Sequence, residues 1–540
     1  MTRNYTSKQR QDGAPGGVAA PERTRNAALP DLQVMLTAEE AFPYLEDMFL
    51  TARDRIAAGF RIMDPTMQLQ SEAARRVGDR WADLVADTLA RGVRVRIVLS
   101  DFDPVGAAQM HHTTHKSLRL YREAAERAGA AERLETVAAL HPAEVGPLYR
   151  RLFTPMARQQ LARLIDRLNR ETPEDRSEWM KDAPGLARLL DTDEQGRILR
   201  SPERVQFLWP CTHHQKIAVA DGRRLYVGGL DLDDRRADGI GHRKAPSRSW
   251  HDVQLGCTGP LAAAAEAHLD RFLDVVEGRR DPGPRQALLR TLSRRRSGLS
   301  RRLRLGPKPL VHEIYDRTVA EIARAEAFIY LESQFLRDLR IARALARRAR
   351  EVKKLSLVVV LPAAPEDAAF LGDTSLGVRF GEHLQSRCVE KIAGAFGDRV
   401  AFVSPAQPRP VSSDGTRAVI HGAPIVYVHS KVSIFDERAA VVSSANLNGR
   451  SHRWDTEAGI ALDAPEQVKL LRDRLMLHWL PEGADGRFFD PATAPRAWAG
   501  LAEANAAAPP IDRQGFVLPF PRKAPRRFGR PVPVLTQDLM

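Results

Sequence analysis

Stretches with apolar residues at helical spacing alternate along this chain with short, nearly continuous apolar runs, and the order occurs twice. In the first half the amphipathic spacing from Glu39 to Ala58 predicts a helix, followed by a strand at Phe60 to Met63. A second helix is expected over Ser71 to Arg91, and then the β-rich run VRVRIVLS from Val93 to Ser100. The second half repeats this with a helix over Val311 to Ala325 and the strand FIYLE from Phe328 to Glu332. A helix through Ala342 to Val352 and the run LSLVVVLP ending at Pro362 complete the copy. Strands apolar on both faces need cover on both sides, so the expected fold class is α/β, two similar lobes of sheet flanked by helices. The repeated order reads as an internal duplication.

The same pattern divides the chain. Residues 1–32 lack the apolar stretch of a secretory signal and read as a disordered leader. The first lobe is expected at 33–278, carrying a helical insertion at about 105–200 with no counterpart in the second half. Residues 279–308, with RRDPGPRQ and SRRRSGLSRRLRLGPK, read as a basic linker that is either a solvated helix or a contact for anionic lipid or nucleic acid. The second lobe follows at 309–480, and 481–540 form a Pro- and Ala-rich basic tail expected to pack as loops or stay mobile.

Chemistry enters through a spacing that occurs twice, His214-x-Lys216-x-x-x-x-Asp221 and His429-x-Lys431-x-x-x-x-Asp436. With 15 His, 12 Lys and 38 Asp in 540 residues, a shuffled chain should give roughly 0.02 such hits. The surroundings repeat in step, since Gly229 and Ser444, and Asp231 and Asn446, stand at the same constant offset of 215 (429 − 214). Each His-x-Lys is expected on a strand, where residues two apart share a face, so each imidazole projects beside an ammonium. Two such pairs supply a nucleophile, a proton carrier and cations for the charge on phosphorus, so phosphodiester chemistry needs no cofactor and no metal here. Ser444 and Asn446 are expected to add hydrogen bonds, and Gly229 to permit close approach of backbone. Asp221 and Asp436 belong to the motif but lie at turns, where ion pairing of local structure is their expected part. The group His111, His112 and His115 lacks a Cys, Asp or Glu at ligand spacing and reads as a polar helix start rather than a metal site.

Composition narrows the partners. The chain is 43% hydrophobic and 28% charged, with a net charge of +14 carried mostly by Arg, which suits phosphate recognition or a polyanionic surface. Cys211, Cys257 and Cys388 are too few and scattered for a disulfide framework, so a reducing compartment is expected. No run is long enough to cross a bilayer.

The paired motifs with their flanking strings resemble the phospholipase D superfamily over about residues 37 to 480 apart from the insertion. THHQKIAVADGRRLYVGGLDLDDRR looks like the phospholipase D and transphosphatidylase branch, and VYVHSKVSIFDERAAVVSSANLNGRSHRWDTEAGI like the second motif, with Ser443 in place of the usual Gly. LESQFL from Leu331 to Leu336 and WHDVQLGCTGP from Trp250 also match. The resemblance implies two lobes about a pseudo-twofold axis with one site at the seam. It implies His214 as the nucleophile, His429 as general acid and base, and Asp252 and Glu457 as the acids behind them, with Glu457 supporting His214 and Asp252 supporting His429 across the seam. The implied activity is hydrolysis or transphosphatidylation of a glycerophospholipid, the alternatives being a cardiolipin-synthase-like phosphatidyltransferase or a metal-independent nuclease. A monomeric, cytoplasmic protein working peripherally at a phospholipid surface is the corresponding expectation, with nucleic acid as the less favoured partner.

Overall fold

The apolar runs assemble into two large sheets, and the strand order of one is repeated in the other. The structure, a computed structural model, describes residues 28–201, 207–285, 287–411, 416–533 and 535–540. In the first lobe Arg55–Phe60, Arg94–Ser100 and Leu134–Ala139 run parallel. Ile217–Ala220 lies antiparallel on the free side of Arg55–Phe60, then Arg224–Gly228, then Val253–Thr258. In the second lobe Phe328–Ser333, Ser356–Val360 and Val400–Pro405 are the parallel set. Lys431–Phe435, Ala439–Ser443 and Glu457–Leu462 follow antiparallel on the other side. The parallel steps cross over through helices such as Trp81–Ala90, Ala108–Arg127, Leu339–Glu351 and Leu376–Phe396, as parallel pairing requires.

The lobes are joined by buried apolar surface. Val227, Val253 and Leu269 of the first share one core cluster with Val442, Ile460 and Val468 of the second. Two further clusters fill the outer faces, one around Phe42, Trp81 and Tyr226 and the other around Leu345, Leu384 and Phe435.

Several boundaries differ from the sequence expectation. The first helix ends at Thr51 and the next strand is Arg55–Phe60, earlier than Phe60 to Met63. The second expected helix is two pieces, Glu72–Arg75 and Trp81–Ala90, the latter starting where the Asp83 carboxylate accepts the backbone N–H groups of Asp79 and Arg80 at 3.1 and 2.9 Å. The helix expected from Val311 begins at Glu313, after a strand Lys308–His312. Residues expected as linker carry the strand Leu288–Arg294, paired to Glu457–Leu462, and the helix Gly298–Leu303. The insertion is also shorter than expected, since Ala108–Arg127 and Leu134–Ala139 belong to the first lobe. The added part is Pro147–Leu168, Pro173–Lys181, Pro184–Ala187 and the hairpin Leu190–Thr192 with Ile198–Arg200. The tail is built into the second lobe, where helix Ala494–Ala507 buries Trp498 and Val517–Pro519 extends the sheet beside Val400–Pro405. Of the expected leader, residues 1–27 lie outside the described residues, and Leu29 is tied to Gln467 by hydrogen bonds of 2.9 and 2.7 Å.

Asp221 and Asp436 work at turns, by a means other than ion pairing. The Asp221 carboxylate accepts the backbone N–H groups of Arg53, Asp54 and Arg55 at 3.0, 2.8 and 2.9 Å. Asp436 accepts those of Glu326, Ala327 and Phe328 at 3.1, 2.9 and 3.0 Å. Both residues have φ of +53°, a left-handed conformation that Asp tolerates better than most side chains. Each therefore ties the start of one strand to the end of its neighbour, at the far end from the motif histidine. Both aspartates belong to the motif because the turn needs them at that spacing, and neither stands with the motif histidine and lysine.

Asp221→Ala and Asp436→Ala should each cost about 2 kcal/mol, the scale of losing charge-assisted backbone bonds at a part-exposed site. Urea unfolding measures this, and an unchanged midpoint in either variant contradicts the role.

Candidate active site

Each motif histidine enters the seam on an extended segment just before its strand, and each segment is clamped by the other lobe. The His214 N–H donates to the carbonyl of Thr456 at 2.8 Å, and His213 bridges Thr456 in parallel register. The His429 N–H donates to the carbonyl of His251 at 2.8 Å, where Tyr427–Val428 pairs in parallel with Trp250–His251. Thr456 precedes Glu457 and His251 precedes Asp252, so the same clamp delivers a carboxylate to each histidine.

The imidazoles use one nitrogen for that carboxylate. His214 Nδ1 lies 3.1 Å from both Glu457 oxygens, and His429 Nδ1 lies 2.6 Å from Asp252 Oδ2. This pairing fixes the tautomer and leaves each Nε2 free for chemistry. Glu457 and Asp252 are fully buried, as the side chain of His429 nearly is at 3% exposure, whereas that of His214 keeps 13%.

The lysines fold back onto their own motifs. Lys216 Nζ donates to the His214 carbonyl at 2.6 Å and stands 3.7 Å from Asp231, while Lys431 donates to the His429 carbonyl and to Gln334 Oε1 at 3.4 Å. Burial pushes Lys216 down to about 8 and Lys431 to about 7, against the pull of Asp231 on the first and Asp252 on the second. Burial lowers both histidines well below the ordinary imidazole range, aided for His214 chiefly by Lys216 and for His429 chiefly by Lys431. Burial raises the carboxyls, Glu457 to about 8 with Lys216 opposing, and Asp252 upward with Lys431 opposing. The fields cross the seam, since Lys431 acts on His214 and both Lys216 and His214 act on His429. All four groups therefore lie within electrostatic reach of one another at the seam.

The surrounding residues hold these groups more than they offer contacts. Asp231 is fully buried, pairs with Arg236 and accepts the Ile62 N–H at 3.1 Å. Ser444 Oγ donates to Glu457 and not outward, which corrects the expected phosphate contact. The Gly229 N–H is taken by Gln254 Oε1 at 2.9 Å, and a Cβ there would fall 2.4 Å from Asp252 Oδ1, so the glycine makes room for the acid. Asn446 Nδ2 donates to Gln334 Oε1 at 3.1 Å, which places both amides beside Lys431.

Three guanidinium groups and one indole were not anticipated. Arg61 and Arg450 are among the cations whose fields reach His214, and Arg236 is among those reaching His429. Arg236 also lies 5.0 Å over Trp250, whose ring is 5.3 Å from His429. Arg236 and Arg450 stand within the strings that flank the two motifs, whereas Arg61 carries no motif signal.

Among the described residues, two clusters bring ligand-type atoms within 4.8 Å of one another, Asp101 with His111 and His115, and His242 with His251 and His478. The first supplies the acid missing from the sequence spacing, but His111 is engaged at both nitrogens, by Asp101 at 2.6 Å and the Gly185 N–H at 3.0 Å. In the second, His242 lies between Asp238 at 2.8 Å and His478 at 3.0 Å. The described residues contain no helix long and apolar enough to cross a membrane.

Fold and site together define a two-lobed α/β protein with one seam pocket built from two His-x-Lys pairs. A family model described as cardiolipin synthase, phospholipase D-like domain, matches residues 319–479. Phospholipase D zeta 2 of Arabidopsis thaliana is 30% identical over 206 residues, 34% of this chain and 19% of that protein. Phospholipase D1 of Saccharomyces cerevisiae is 23% identical over 387 residues, 55% of this chain and 22% of that protein. The chain thus spans about a fifth of the length of these relatives. Phosphatidylserine synthase of Haemophilus influenzae Rd KW20 aligns over 88% of this chain and 93% of that one, at 10% identity and a TM-score of 0.48. By the family model over its second lobe and by these relatives, the chain is similar to the phospholipase D superfamily.

Because Lys431 and Lys216 sit near 7 and 8, a bound anion should raise both and draw protons from solution. At pH 8, calorimetric titration with tungstate in two buffers of different ionisation enthalpy should show proton uptake, and affinity should fall as pH rises from 7 to 9. Proton release, or affinity rising with pH, contradicts the assignment.

Proposed function

We propose that the chain is a phospholipase D-type enzyme acting on glycerophospholipids through a phosphohistidine. The observation that carries this reading is the cross-seam pairing: two imidazoles from opposite lobes, each backed at Nδ1 by the other lobe's buried acid, facing one pocket with two buried ammonium groups.

Nε2 of His214 attacks phosphorus while the bond from phosphorus to the head-group oxygen breaks. His429, protonated, gives its proton to that leaving oxygen. Water or an alcohol then loses a proton to His429 and attacks phosphorus, and the phosphorus–nitrogen bond breaks. Water yields phosphatidate, and an alcohol yields a new phosphatidyl ester. Lys216 and Lys431 neutralise the non-bridging oxygens, with Gln334, itself held by Asn446, fixing Lys431. The greater exposure of His214 supports its role as nucleophile, and the short bond from His429 to Asp252 supports a proton carrier.

Phosphatidyl transfer is the second reading, favoured by the description of the family model over the second lobe. The acceptor distinguishes the two, so head-group release should be measured across a panel of phospholipids with and without a primary alcohol. Cleavage of an oligonucleotide without any lipid turnover would overturn both.

His429→Ala should reduce head-group release by roughly 10²- to 10⁴-fold, the usual worth of a positioned proton carrier. Acid quenching during turnover should trap a phosphoprotein that His214→Ala abolishes. Full activity in either variant removes the residue from the mechanism.

A further inference from the structure

The helix Pro147–Leu168 changes character halfway along. Its second half buries Leu161, Leu164 and Leu168, but its first half turns Leu148, Leu152 and Met156 to solvent at 58%, 54% and 54% exposure. These residues are four apart and so lie on one face. The short helix Gly298–Leu303 packs against its start and does the same, with Leu299 and Leu303 exposed at 68% and 53%. Isolated exposed leucines need no explanation, whereas four leucines and a methionine on two packed helices mark an interaction surface.

The polar residues around them share one sign. No Asp or Glu occurs between Val145 and Ile165, or between Pro282 and His312. Arg151, Arg158, Arg302 and Arg304 are exposed there. The nearby acid, Glu144, is held by Arg301 at 3.0 Å and lies 3.8 Å from Arg295. The root of the long helix is seated on the active site: Tyr149 and Phe153 pack with Cys211, Leu305 and Trp454, three residues from His214 and Glu457 respectively for the first and last of these.

We propose that these two helices form a docking face for bilayers rich in anionic phospholipid, with the leucines and Met156 entering the acyl boundary and the arginines meeting the head groups. The proposal deepens the phospholipid reading above and rests on it for its occupant. A second copy of the chain is disfavoured because the same cationic rim would face itself. Nucleic acid would meet the arginines but leave the leucines without a role.

The test uses the full chain and unilamellar vesicles of phosphatidylcholine alone or with 30% phosphatidylglycerol, the latter fraction set at roughly the charge density where basic surfaces bind. Wild type should co-sediment with the anionic vesicles at least tenfold more tightly than with neutral ones. Leu148→Asp with Leu152→Asp, and separately Leu299→Asp with Leu303→Asp, should weaken that binding at least tenfold while melting as wild type does. Turnover of a monomeric short-chain phospholipid should stay unchanged in both variants as vesicle turnover falls. Failure of wild type to bind anionic vesicles, or equal binding by folded variants, overturns the proposal. So does a wild-type dimer in sedimentation that the variants render monomeric. Vesicle binding that responds as expected, in a protein that turns over no lipid, would sustain the docking face and remove the phospholipase reading alone.

Discussion

The structure depends on a reciprocal exchange across its seam. Each lobe lends its histidine to the other lobe's carboxylate, through His214 with Glu457 and His429 with Asp252, and each exchange is set by a backbone bond one residue away. Neither lobe alone holds an oriented imidazole. The apolar core common to both lobes is therefore a condition of the chemistry, because any rotation of one sheet against the other would separate both pairs together.

That exchange is made in a place hostile to charge. Two lysines, two histidines and two acids are buried within reach of one another, and burial moves every one of them toward its neutral form. An ion in such surroundings is costly unless paired. The fold offsets part of this locally, through Asp231 near Lys216 and the carbonyls of His214 and His429. The remaining cationic bias awaits an anion. Under the proposed function, a phosphodiester entering the seam would supply that negative charge, and the cost of preparing the site would become selectivity for phosphate.

The duplication, the α/β class and the pairs of His and Lys were legible because they depend on local spacing. Whatever depended on distant partners was not. The strand at Arg55 begins early because Asp221, far along the chain, takes the backbone N–H groups of Arg53, Asp54 and Arg55. The strand Leu288–Arg294 looked like linker because of its arginines, yet Arg290 is 4% exposed, with Glu313 at 2.9 Å and the carbonyls of Pro282 and Pro284 satisfying its guanidinium. The tail shows little periodicity, and Val517–Pro519 is a strand only because Val400–Pro405 presents an edge. Ser444 read as a phosphate donor because its place in the motif is visible, while the orientation of its hydroxyl toward Glu457 is not.

The two halves are not equivalent where equivalence would be harmful. An enzyme working through a covalent intermediate needs one imidazole to bond phosphorus and the other to carry a proton in both directions. On the Asp252 side, Gly229 leaves space and the carboxylate meets His429 in a single bond of 2.6 Å. On the Glu457 side, Ser444 occupies the corresponding place and its hydroxyl takes part of the carboxylate, leaving His214 two bonds of 3.1 Å. Asp252 gives Oδ2 to His429 alone, its Oδ1 accepting the Val253 N–H at 2.8 Å, and an oxygen undivided in this way stabilises an imidazolium more, which suits the proton carrier of the proposed mechanism. A shared one stabilises it less, which keeps His214 neutral and nucleophilic. Under the proposed mechanism, one substitution between duplicated motifs, Gly against Ser, would thus account for a division of labour that the matching His, Lys and Asp spacing alone leaves undecided.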